Sequence, residues 1–116
     1  MEATYIVKLP AVGKPTIEPF NAENTYKQLS EAVGGYIERT LIPKPLVKDH
    51  NCFIDCFVNE EGLLKELPIN QRLTTLCSKN YGGILVGDAI FVGYDAEGET
   101  VGLPEAVAKA IIALFN

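Results

Sequence analysis

Histidine is almost missing from this chain: His50 is the only one in 116 residues, which excludes any metal centre built from several imidazoles. Cysteine is scarce too, and its number is odd. Cys52, Cys56 and Cys77 are read as free thiols in a reducing compartment, because a chain of this length needs no disulfide staple. If NCFIDCFVN is a strand, Cys52 and Cys56 stand roughly 13 Å apart at about 3.3 Å per residue, too far for a disulfide or a shared zinc. No run of about 18 apolar residues is present, so no membrane-spanning helix is expected. The N-terminal MEATYIVK lacks the basic stretch and apolar run of a secretion signal, and the expected compartment is the cytoplasm.

Positive charge is the other shortage. Residues 1–50 hold six basic and six acidic side chains, whereas residues 51–116 hold four basic and nine acidic, so the second half carries the whole net charge of -5. A basic stripe able to neutralise phosphates is not evident, and nucleic acid is not an expected partner. An acidic half keeps a protein soluble and can also meet a basic protein surface.

What is present is a globular composition, 47% hydrophobic and 22% charged, at a length suited to a single domain over residues 1–116. TYIVKLP alternates as a first strand and stops at Pro10. AVGKPTIEPF is read as a rigid loop or a ragged edge strand around Thr16 to Glu18. Asn21 or Asn24 can cap a helix whose apolar stripe is Tyr26, Leu29, Ala32 and Val33. Gly34 then stops this helix in the left-handed conformation, and Gly35 frees the chain to enter a strand from Tyr36 to Ile42.

A turn-rich connection leads to the strongest strand, with Cys52, Ile54, Cys56 and Val58 on one face and Phe53 and Phe57 flanking Asp55 on the other. NEEG is turn chemistry, after which Leu63 to Leu67 is read as a short return strand. Asn70 can cap a short helix or irregular excursion through Leu73, Leu76 and Cys77. One or two strands are expected, centred on Ile84 to Val86 and Ala89 to Val92 and broken or bulged at Gly87 and Asp88. AEGET is read as a loop, and a final helix from Pro104 to Phe115 buries Val107, Ile111, Leu114 and Phe115. The implied fold class is α+β, a mostly antiparallel twisted sheet packed against two helices in two layers.

In this order LSEAVGGYIE, NEEG with LPIN after it, GGILVGDAIFVG and the closing amphipathic helix resemble a small phage and bacterial domain family of unknown function. The resemblance covers most of residues 4–115. It departs from the family's pattern at Asn70, which is followed by Gln71 before Arg72, and at Leu103, which offers no hydroxyl cap to the final helix. It implies a phage, prophage or plasmid setting and carries across no activity, cofactor or catalytic set.

The residues themselves support little chemistry. Gly34 and Gly35 follow a helix and precede a strand, the reverse of a phosphate loop, and the carbonyl end of a helix repels anions. Cys77, His50 and Asp88 contain the residue types of a catalytic set without a spacing that assembles one. Asp55 is the notable carboxylate: between two phenylalanines it must be exposed, hydrogen-bonded or shifted in pKa, and Arg39 is its expected partner. Tyr36, Glu38, Arg39, Asp55, Asn59, Asn70 and Arg72 form the candidate ligand- or partner-binding set, although Asn70 also suits a loop cap. Tyr81, Tyr94 and Phe91 are candidate aromatic anchors.

The leading expectation is therefore a non-enzymatic accessory module that binds a host or phage protein and modulates or inhibits it, without a cofactor. The alternative is a binder, or a hydrolase, of a small polar ligand or nucleotide derivative, using a groove near Glu38, Arg39 and Asp55. A nucleic-acid role would require Lys44, Lys48, Arg39 and Arg72 to share one face. An exposed sheet edge would also permit a homodimer.

Overall fold

The computed structural model describes residues 3–48, 50, 52–79 and 82–115. Its sheet is antiparallel throughout, in the spatial order β2 (Thr16–Pro19), β1 (Tyr5–Leu9), β5 (Ala89–Tyr94), β4 (Ile54–Asn59), β3 (Ile37–Thr40). The short β6 (Thr100–Val101) pairs with the end of β5. β5 takes the centre because its residues Ala89 to Gly93 are buried on both faces, and β4 beside it is buried over its whole length. The register sets Val7, Phe91, Cys56 and Thr40 in one row, and Lys8, Ile90, Phe57 and Arg39 in the next, on the opposite face.

Three helices cover this sheet: α1 (Thr25–Val33), α2 (Gln71–Cys77) and α3 (Glu105–Leu114). Leu29 and Val33 of α1 pack on Ile6, Phe57, Ile90 and Val92. On the other face, Leu73 and Cys77 of α2 and Val107, Ala108 and Ile111 of α3 join Val7, Leu9, Cys56, Val58 and Phe91. The α+β class with an antiparallel sheet packed against helices is thus present. It has three layers rather than two, because β4 and β5 are apolar on both faces and each face takes a helical cover.

Local chemistry sets the boundaries. Gly34 adopts φ 81°, and the N–H groups of Gly34 and Gly35 both donate to the Ser30 carbonyl, at 2.8 and 3.0 Å, which closes α1. Asn70 caps α2, its Oδ1 accepting the Leu73 N–H at 3.1 Å. β2 forms as the ragged edge strand between two prolines. Other expectations differ from the structure: Tyr26 and Leu114, expected in the buried stripes of α1 and α3, are exposed. Leu63 to Leu67 is a turn and pairs with no strand, and of Ile84 to Val86 only Val86 makes a β-bridge, to Ile69. Among the described residues no helix is long and apolar enough to cross a membrane.

Candidate functional site

The candidate residues fall into three places. Arg39 and Asp55 meet on the α1 face, with Nε and Oδ1 3.4 Å apart, and the Arg39 guanidinium carbon lies 5.7 Å from the centroid of the Phe57 ring. Asp55 is only 8% exposed. Burial pushes its carboxyl above the usual carboxylate range, and the nearby charges of Arg39 and then Lys44 oppose that shift. Glu38 does not join this pair, because strand alternation puts it on the other face of β3, beside Val58.

Asn70 and Arg72 lie at the start of α2, where both hold the chain together. The Asn70 side chain is fully buried and donates from Nδ2 to the carbonyls of Leu9 and Gly87 at 3.1 and 3.0 Å. With its oxygen capping α2, both of its donors and one acceptor site are engaged within the fold. Arg72 donates to the carbonyls of Pro10 and Gly13, while Asp88 accepts the Ala11 N–H at 2.9 Å, so the two fix the β1–β2 loop from both sides. Asp88 is thereby engaged away from His50, and Cys77 is sealed in the core. Burial, with Cys77 and Asp55 nearby, pushes the Cys56 thiol well up, which leaves it unreactive. Tyr81 lies outside the described residues, and Phe91 belongs to the core.

Tyr36 and Asn59 mark the third place, and here the structure shows what the sequence reading missed. The turn at 60–67 is tightly tied: Asn59 Oδ1 accepts the Glu61 N–H at 2.8 Å, and the N–H groups of Gly62, Lys65, Glu66 and Leu67 donate to Asn59, Glu61, Leu63 and Gly62. Asn59 Nδ2 donates to the Val33 carbonyl at 3.1 Å, so the turn is anchored to the end of α1. Gly62 lies against Val86, where a Cβ would sit 2.7 Å from Cγ2, and only glycine fits. Leu67 turns inward and packs over Gly87. Leu63 and Leu64 turn outward, 68% and 83% exposed.

Around these leucines stand Glu60, Glu61 and Glu66 with a single lysine, Lys65, whose Nζ is 3.8 Å from Glu61. Tyr36, 63% exposed, adjoins the same end of the sheet, since its carbonyl accepts the Glu60 N–H at 2.8 Å. The result is a rigid acidic turn with an apolar tip. The signal for it in the sequence was NEEGLLKEL, in which leucines directly follow strong turn residues and alternate poorly as a strand. No group of three or more His, Cys, Asp or Glu side chains that could hold a metal ion occurs among the described residues.

A family model described as a domain of unknown function (DUF3846) matches residues 6–116. The chain belongs to this family. No match was found among curated proteins or among solved structures. Membership of the family brings no activity with it, and the functional reading rests on the geometry above.

Proposed function

We propose that this chain is a non-enzymatic protein-interaction module of a phage or mobile element, which docks its Leu63–Leu64 turn on a host or phage protein and modulates or inhibits it. The observation that carries the reading is the exposure of two adjacent leucines on a turn held by its own backbone bonds. Burying a leucine is worth about 1.5–3 kcal/mol, and here that stabilisation is forgone on folding and kept for association. A turn fixed in advance loses little entropy on binding. Three glutamates around the tip select a partner whose apolar groove has a basic rim. Cytoplasmic action is part of the same proposal.

The direct test places a photo-crosslinking side chain at position 64 and, as a control, at Ala113 on α3. Crosslinking to another protein in a lysate of the source cell from position 64 alone supports the docking turn. Equal crosslinking from both positions, or none from 64, contradicts it.

A second reading is favoured by one observation, the nearly buried Asp55 carboxylate beside Arg39 and Lys44. A small polar ligand would exchange with this ion pair. Native mass spectrometry of the purified protein checks it through a retained ligand mass that disappears in an R39A variant. A homodimer would instead use β3, an outer strand whose ladder alternation points the backbone groups of Ile37 and Arg39 away from β4.

A further inference from the structure

A second site stands apart from the leucine turn, at the end of the sheet where β4 begins and β5 stops. There residues 42–46, 50 and 52–54, with Tyr94, line a cleft of ≈ 630 Å³. That volume is in the range of about 300–1,000 Å³ common for small-molecule sites. Its floor is apolar, with Ile42 and Ile54 both buried. Its wall is a pair of stacked rings, Phe53 and Tyr94, with centroids 5.2 Å apart and planes 20° from parallel. Phe53 is 59% exposed, although every residue of β4 that follows it is buried.

Among the described lining residues, Lys44 is the one formally charged side chain of this cleft. Lys44 Nζ lies 5.9 Å from the centroid of the Tyr94 ring, and the His50 imidazole lines the same space. No carboxylate is among the described lining residues. A flat ring wall thus stands beside an ammonium group, whose charge the nearby Asp55 offsets only in part because that carboxylate is shared with Arg39. We propose that the cleft binds a small planar anion, with an aromatic or other flat apolar body against Phe53 and Tyr94 and its acidic group at Lys44. A shallow sheet face for a peptide would not need a recessed apolar floor, and a neutral apolar ligand would not need the ammonium.

The test uses two fluorescent probes that differ in charge, 8-anilinonaphthalene-1-sulfonate and the uncharged N-phenyl-1-naphthylamine, titrated into the full chain. The expected result is one saturable site per chain for the sulfonate, weakened about tenfold or more by K44E and much less so for the neutral probe. An L63S/L64S variant should bind the sulfonate as the wild type does, which separates this cleft from the leucine turn. Tyrosine circular dichroism and a thermal melt establish that K44E is folded, and K44Q replaces it if it is not. Three results would overturn the proposal: no saturation, an equal loss for both probes with K44E, or a loss with L63S/L64S. Competition by an acidic peptide but by no small aromatic carboxylate would reassign the cleft to a protein partner and overturn the small-ligand proposal as well.

Discussion

Two polar residues, Asn70 and Asp55, show how far single side chains set this fold. Asn70 replaces three backbone partnerships with one buried amide, so N70A removes a helix cap, takes the side-chain donor from the Gly87 carbonyl, and leaves the Leu9 carbonyl with its ladder partner alone. Urea denaturation should show a loss of about 3 kcal/mol. Asp55 is expected to act in the opposite sense. Its carboxyl is raised above its unfolded value, so its contribution to stability is full in acid, below the ordinary carboxylate range, and is lost as pH rises through the raised pKa. D55N should therefore gain on the wild type near neutral pH and lose that advantage on acidification. A wild type more stable than D55N at neutral pH would mean that Arg39 outweighs burial. The sequence showed Asp55 as a misfit between phenylalanines and paired it with Arg39, and it suggested the Asn70 cap. The depth of Asn70 was not legible, because its two acceptors come from residues 61 and 17 positions away.

At the scale of elements, the helix stop and the leucine turn depend on backbone geometry and make different predictions. Nothing lies within 4 Å of a Cβ built on Gly34, so its φ of 81° is the whole cost of a substitution there. G34A should destabilise by about 1 kcal/mol, with G34N between it and the wild type, measured by the same denaturation. The L63S/L64S change touches no core, and its stability should stay within about 0.5 kcal/mol of the wild type while binding is lost. Gly34 was readable because helix, glycine and strand follow one another in the sequence. The return strand expected over Leu63 to Leu67 was wrong for a physical reason: apolar residues were assumed to seek the core, whereas the turn's own hydrogen bonds hold two of them outside it. β6 was missed because two residues pairing only with the end of β5 carry no periodicity of their own.

For the whole molecule, charge and apolar exposure are arranged by location. The α+β class followed from the alternation of strands and two amphipathic helices; the third layer was hinted at by apolar residues on both faces of β4, but the strand order that places β5 at the centre is encoded in no local pattern. That order puts β5 between two strands distant in sequence, leaves β3 as an edge, and sets the acidic leucine turn and the Phe53–Tyr94 cleft at different places. The candidate residues were scattered for the same reason: Glu38 and Arg39 are neighbours in sequence and face opposite sides of one sheet. The most direct measurement is a three-way capture from the source cell's lysate with tagged wild type, L63S/L64S and E60K/E61K/E66K, after their melts have been matched. Docking through the turn predicts a protein held near one-to-one by the wild type and lost by both variants. Retention of that same protein by L63S/L64S at wild-type yield would contradict it.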